Sequence, residues 1–411
     1  MYQLIVVGGG PAGIAAAIAA RRQGMKTLLV ERYGFLGGMA TAGLVTPFMH
    51  TLGAGGLYQE LLERLNKWDA IKDNRFFDGE LMKLVLDEWL LEEGVEILFH
   101  ALLTDVKVED GCIKSVTVSG KGQEISLSAS YFIDGTGDGD LAALAGAPMN
   151  IGRESDGLCQ PMTTCFQVGG IDVGIDDTYM DAYKARKPLT ELYLEAKKEG
   201  RIKNPRENVL IFPTTRTGEI HFNTTRIVGK NPVSLFELTE AELEARKQII
   251  ELFSLLKEKV LAFKNAYITR IATQIGVRES RTIIGAYQLT EEDVLSGRKF
   301  PDGIGKCSYP IDIHSPQGEG TRISTLKAGD WYEIPYTALY TPSLKNLLVA
   351  GRCISSTHEA QASLRIMPTC MVTGQAAGTA AALAEAQKLT VDQVPADELI
   401  RVLKAEGADL R

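Results

Sequence analysis

The stretch that decides the fold is Leu4-Ile5-Val6-Val7-Gly8-Gly9-Gly10-Pro11-Ala12-Gly13, followed by the alanine-rich run Ile14 to Gln23 and by Lys26 to Val30, which ends at Glu31. Leu4 to Val7 is apolar and β-branched, the composition of a strand buried on both faces in a parallel sheet. The alanine-rich run predicts a helix that Gly24 stops, and Lys26 to Val30 predicts a second strand. Together they make a βαβ unit of about thirty residues. Gly8, Gly10 and Gly13 match G-x-G-x-x-G. The first permits the tight turn, the second lets a pyrophosphate approach the backbone, and the third lets helix pack on strand. Pro11 and Ala12 within the motif are cofactor candidates with the three glycines, and the N-terminus of the following helix faces the phosphates with free N–H groups and a positive dipole end. Glu31 stands at the end of the second strand, placed to bind ribose hydroxyls. Glycine turns are common, but here strand, helix and acid all stand in place, so the reading is a dinucleotide site.

Arg32-Tyr33-Gly34-Phe35-Leu36-Gly37-Gly38-Met39-Ala40-Thr41 extends directly from Glu31. A nicotinamide site does not require a second Gly-Gly loop there. Two-dinucleotide-binding-domain flavoproteins carry one against the FAD pyrophosphate and ribityl, and this stretch resembles it. The resemblance makes Arg32, Gly38, Met39, Ala40 and Thr41 cofactor candidates; the other reading is a flexible surface loop.

Farther along, helical periodicity covers Leu57 to Trp68 and Asp78 to Glu93, and Gly94 ends the second helix. Val95 to Phe99, Leu102 to Glu109, Ile113 to Ser119 and Gln123 to Ser128 read as strands, with Asp110-Gly111 as a hairpin turn. Val106 on the second of these is taken as a cofactor neighbour. The strand Tyr131-Phe132-Ile133 leads into Asp134-Gly135-Thr136-Gly137-Asp138-Gly139-Asp140, a turn at the strand end where open α/β sheets bind ligands. It is similar to the segment of FAD enzymes that closes over the cofactor, which implicates Thr136, Gly137 and Asp138. The following Leu141 to Ala147 is too short for a second βαβ unit, so no separate NAD(P)H domain is expected. From about 151 to 300 the chain changes character, with strands at Cys165 to Val168, Val209 to Phe212 and Glu219 to Phe222 and a long amphipathic helix from Glu240 to roughly Gly276.

The 411 residues allow two or three domains, or one extended α/β unit with an insertion. With 44 Lys and Arg against 52 Asp and Glu, the net charge of −8 supplies no general field for phosphate backbones, so nucleic acid is not an expected partner. Six Cys without a CxxC indicate neither a disulfide framework nor a zinc module, and no metal is expected. No membrane span or signal peptide is read, because the most apolar stretch, Leu4 to Ala20, is broken by the glycine loop. A cytoplasmic protein is the expectation.

Near the C-terminus, Asn346-Leu347-Leu348-Val349-Ala350-Gly351-Arg352 is a buried strand running into Gly-Arg. His358-Glu359-Ala360, Arg365, Met367-Pro368-Thr369-Cys370 and Thr373-Gly374-Gln375-Ala376-Ala377-Gly378 follow. This series is similar to the C-terminal half of the FAD site in glutathione-reductase-type flavoproteins. On that resemblance Gly351, Arg352, Thr373, Gly374, Gln375 and Ala376 contact FAD. The helix start at Gly374 would stabilise charge at the flavin N1–C2=O edge. The chain is identified as a member of the bacterial FAD-dependent oxidoreductase family, carried also by Arg278-Glu279-Ser280-Arg281 and Tyr309-Pro310-Ile311-Asp312-Ile313-His314. More distantly it resembles the succinate dehydrogenase and fumarate reductase flavoproteins, where an Arg in the stretch of Arg365 binds a substrate carboxylate. Their Asn-Arg-Leu-Gly-Gly and the His before the Gly-Gly loop are absent here, so noncovalent FAD is implied.

Among groups for the chemistry, His358 in the loop between flavin strand and helix is the first choice for general base or substrate anchor. It could equally hold the loop. His314 joins the pocket or is structural. Arg278 and Arg281 share one face if helical, and clamp a carboxylate or tie an inserted domain to the flavin domain. Cys353 and Cys370 read as small core residues. The expected architecture is a Rossmann-like FAD-binding α/β domain, three-layered with a parallel sheet and a β-meander, formed by 1–150 and 305–411 around an α+β substrate domain at 151–304. The expected activity is hydride transfer between a small anionic organic substrate and flavin N5, with an electron acceptor left unnamed and homo-oligomerisation left open. Alternatives are a monooxygenase using an external reductant and a flavin-binding protein without turnover.

Overall fold

The computed structural model describes the chain apart from residues 176, 177, 179, 180 and 319. Its centre is a five-stranded parallel sheet in the order Leu347–Val349, Ala129–Asp134, Tyr2–Val7, Thr27–Val30, Glu96–Leu98. Leu4 to Val6 are fully buried, as the unbroken apolar run requires. Val7 is level with Val30 on one side and with Asp134 on the other, and Asp134 is level with Val349. The loops that begin at Gly8, Glu31, Gly135 and Ala350 therefore all leave the same carboxyl edge, where such sheets bind ligands.

Helix Pro11–Arg22 lies against the long helix Met367–Gln387, and alanine and glycine let them close in. A Cβ on Gly374 would fall 2.1 Å from the carbonyl oxygen of Ala12, and one on Gly378 would fall 2.2 Å from that of Ala16. An antiparallel meander, Leu102–Glu109, Cys112–Gly120 and Gln123–Leu127, flanks the sheet. Its first turn holds Asp110 and Gly111 at φ of 53° and 74°, the left-handed pair that a two-residue hairpin needs.

A second layer of structure has its own core. An antiparallel sheet, ordered Ile211–Pro213, Ile220–Phe222, Phe166–Gly169, Tyr267–Ile271, packs with helices Ala182–Lys198 and Leu235–Lys259 around Phe166, Tyr193, Phe222, Leu252 and Phe263. The main core runs from Leu4 to Ala147 and takes up the chain again at Ile283.

The long helix differs from the sequence expectation. It covers Leu235–Lys259, capped by the Ser234 side chain, and does not reach Gly276. Tyr267-Ile268-Thr269-Arg270-Ile271 instead alternates along a strand paired with Phe166–Gly169. Arg278 and Arg281 consequently share no helical face: Arg278 lies outside any helix or strand and Arg281 opens the strand Arg281–Ile283.

Candidate functional site

The loops at the carboxyl edge of the sheet enclose a cleft of about 980 Å³, counting its open mouth. Gly8, Gly10, Pro11, Ala12, Glu31, Arg32, Gly38, Met39, Thr136, Gly137, Asp138, Gly351 and Arg352 form its wall, together with Tyr33, Ala101 to Leu103, Asp140 and Gln274. At one end stand Arg365, Met367 and Cys370. Burial pushes the Cys370 thiol up to about 12.

The glycines of the fingerprint divide the labour. A Cβ on Gly13 would lie 1.8 Å from the Gly8 carbonyl oxygen, so Gly13 is a packing glycine. A Cβ on Gly10 would meet nothing closer than 3.8 Å and would project into open cleft. Helix Pro11–Arg22 starts beside it with no side chain capping its N–H groups. An uncapped helix start behind a bare backbone is the cradle a pyrophosphate needs. Glu31 is fixed by two backbone donors, Gly9 N–H at 2.7 Å and Tyr33 N–H at 2.9 Å, one on each oxygen. Each oxygen keeps a free lone pair for a ribose hydroxyl.

The wall is braced electrostatically. Arg352 pairs with Asp138, which also accepts from the Ser280 hydroxyl at 2.7 Å. Burial raises the Asp138 carboxyl, but Arg352 and Ser280 outweigh it and hold it below the usual range. Asp140 goes the other way, to about 6, because it is buried beside Asp138 and Asp134. Arg281 donates to the Asp138 carbonyl at 2.8 Å and pairs with Asp140, so in this structure it braces the turn.

Three expectations change. The helix expected to start at Gly374 starts at Met367, so Thr373, Gly374, Gln375 and Ala376 lie in its interior. Thr373 accepts from Gly351 N–H at 3.0 Å, Gln375 accepts from Leu57 N–H at 3.1 Å, and Gly374 packs on Ala12. The end aimed at the cleft is the Met367 turn. Ala40, Thr41 and Val106 are buried behind the wall; the Thr41 hydroxyl donates to the Leu36 carbonyl at 2.6 Å. His358 is the first residue of a short helix, His358–Leu364, not a loop residue, and is not part of the wall. Its Nδ1 lies 2.7 Å from Glu279 Oε1.

Beyond Arg365 the structure gathers cations. Arg278 donates to the Pro161 carbonyl and the Thr163 hydroxyl at 2.6 and 2.7 Å. Burial, then Arg365 and Arg206, lower its guanidinium to about 9. Arg206, lowered to about 10 by burial and then by Arg226, has Nη1 buried without a partner among the described residues. Arg226 Nη2 lies 3.1 Å from His314 Nδ1. Burial and the neighbouring Arg278 and Arg365 hold His314 well below its ordinary value, so it is neutral. Because a guanidinium only donates, Nδ1 accepts and the proton sits on Nε2. Gln160 ties the group together, its Oε1 accepting from His314 N at 3.3 Å and Arg365 Nη2 at 3.4 Å. Sequence reading missed Gln160, Arg206 and Arg226, which carry no local motif, and gave Glu279 no role of its own although it stands in the Arg278-Glu279-Ser280-Arg281 stretch.

The profile of the family described as FAD dependent oxidoreductase matches residues 3–403, and the chain belongs to that family. The glycine cradle and uncapped helix fit FAD, the cofactor in that description. Among curated proteins it is similar to thiamine thiazole synthase of Aeropyrum pernix, 33% identical over 147 residues, covering 33% of this chain and 54% of that protein. It is also similar to mitochondrial dihydrolipoyl dehydrogenase of Dictyostelium discoideum, 38% identical over 152 residues, covering 32% of this chain and 31% of that protein. The chain spans about half the length, or less, of these curated relatives. A geranylgeranyl bacteriochlorophyll reductase-like protein of Thermoplasma acidophilum superposes with a TM-score of 0.47 at 13% identity, covering 99% of this chain and 84% of that one. No helix among the described residues is long and apolar enough to cross a membrane.

Proposed function

We propose that the protein transfers a hydride between a small anionic organic substrate and flavin N5, with the substrate held where the cleft meets the arginine cluster. The observation that carries this reading is that Arg365 belongs to both: it lines the cleft, and it donates to the Gln160 oxygen that also holds His314 of the cluster. Bound FAD supplies the redox chemistry by accepting or donating a hydride at N5. Residues 1–150 and 305–411 hold it, through the cleft wall from Gly8 to Arg352, and 151–304 contribute the substrate side.

Buried guanidiniums cost desolvation energy that an incoming anion offsets. Arg365 and Arg278 receive the anionic group through charge-assisted hydrogen bonds. Neutral His314 offers an Nε2–H donor beside them. His358 acts at one remove: Glu279 accepts a hydrogen bond from His358 Nδ1–H on one oxygen and from Gln160 N–H at 2.8 Å on the other, and Gln160 orients Arg365. It is a positioning residue in this reading.

Anaerobic mixing of the holoprotein with a panel of small carboxylates tests the proposal. At least one is expected to bleach the flavin, and Arg365→Gln is expected to raise its KM at least tenfold with a smaller effect on kcat. If no carboxylate bleaches the flavin, while NADH reduces it and oxygen is then consumed on an added organic acceptor, the oxygen-activating alternative replaces this one.

A further inference from the structure

The helix Leu235–Lys259 buries one face, through Ala241, Ala245, Ile249, Leu252 and Leu256, and leaves a second apolar stripe uncovered. Phe236 is 86% exposed, Leu243 54% and Ile250 63%, with Leu235 beside Phe236 at 81%. Phe236, Leu243 and Ile250 are spaced seven apart, the repeat that keeps a seam facing another helix. The seam runs roughly 21 Å at 1.5 Å per residue. Exposed apolar stripes of this kind mark interaction surfaces.

The charges on its edge say what fits. Glu240 lies three residues before Leu243 and Lys247 four after, on the same flank of the seam. The Glu240 side chain is 60% exposed and pairs with Lys230, and among the described residues Lys247 has no carboxylate partner. We infer that this helix pairs antiparallel with the same helix of a second copy of the chain, across a two-fold axis at Leu243. The axis sets Leu243 on its counterpart, Phe236 on Ile250 of the partner subunit, and Lys247 beside Glu240 of the partner subunit. Each contact occurs twice, as a two-fold interface requires. Parallel pairing would carry this flank to opposite sides of the seam, where Lys247 and Glu240 of the two copies cannot reach each other. A lipid surface fits less well, since the six Glu of the helix outnumber its four Arg and Lys and oppose anionic headgroups.

Mass measurement by light scattering on the holoprotein is expected to give a dimer, and Leu243→Glu a monomer with an unchanged flavin spectrum. In a Cys112→Ser background, Leu243→Cys is expected to form an oxidised dimer on its own. Phe236→Cys and Ile250→Cys are expected to cross-link only when mixed with each other. Lys247→Glu is expected to weaken the dimer about tenfold, and addition of Glu240→Lys to restore it. A monomer at every concentration, a dimer indifferent to Leu243→Glu, or cross-linking of Phe236→Cys alone overturns the arrangement. So does a monomer that floats with lipid vesicles.

Discussion

His221 is a histidine with nowhere to put a proton. It is fully buried beside Phe212, neither ring nitrogen has a partner among the described residues, and burial lowers it to about 3. Its folded value lies below the unfolded one, near 6.5. The neutral ring therefore supports the fold fully above pH 6.5, and that support erodes as pH falls toward 3. His221→Leu is expected to gain about 2 kcal/mol more, relative to the parent, at pH 5 than at pH 7.5. Denaturant melts at the two pH values check this, and an equal difference at both would sink it. Two glycines of one motif should fail differently. Gly10→Val is expected to fold with an unchanged melt but bind FAD at least tenfold more weakly, because its side chain enters the cleft. Gly13→Ala drives a methyl into the Gly8 carbonyl and is expected to cost about 2 kcal/mol or more. Flavin titration and thermal melts of both variants separate the roles.

Among the elements, the pair Pro11–Arg22 and Met367–Gln387 joins the two ends of the chain. Gly374→Leu would force a side chain where the Ala12 backbone stands, so it is expected to lower the melting temperature by several degrees and release flavin together. Retention of flavin with a normal melt would show that the helices do not close in as described. The Ala-rich composition of this helix was plain in the sequence, but its start was not. Met367-Pro368 opens the helix with proline in its first turn, a weaker signal than the glycines that drew the reading seven residues too far. The long helix was overextended for a related reason. Apolar residues recur near helical spacing through Leu256, Val260, Phe263, Tyr267 and Ile271, and only pairing with Phe166–Gly169 turns Tyr267–Ile271 into a strand.

Taken whole, the molecule keeps a costly group of arginines next to its cofactor cleft. Arg278→Met removes a guanidinium that burial and its neighbours disfavour. The variant is expected to melt no lower than the parent while the KM for an anionic substrate rises at least tenfold. A large loss of stability with KM unchanged would make Arg278 a brace between the parts of the chain. Arg278 and Arg365 were both visible in the sequence as candidates, while Arg206 and Arg226 were not, since nothing near them in the chain marks a site.

The sequence by itself determined the dinucleotide fold and its cofactor class. Gly8, Gly10, Gly13 and Glu31 lie within one local unit, and a βαβ turn needs glycine at fixed spacings whatever surrounds it. Only the tertiary structure decided which loops close the cleft, which glycines pack rather than bind, and that His358 meets Glu279, whose other oxygen holds the Gln160 backbone. Most of those outcomes depend on contacts between residues far apart in the chain, as Gln160 and Glu279 are, 119 positions from each other. Burial and charge there are set by the partners that folding brings together, and no local pattern records them.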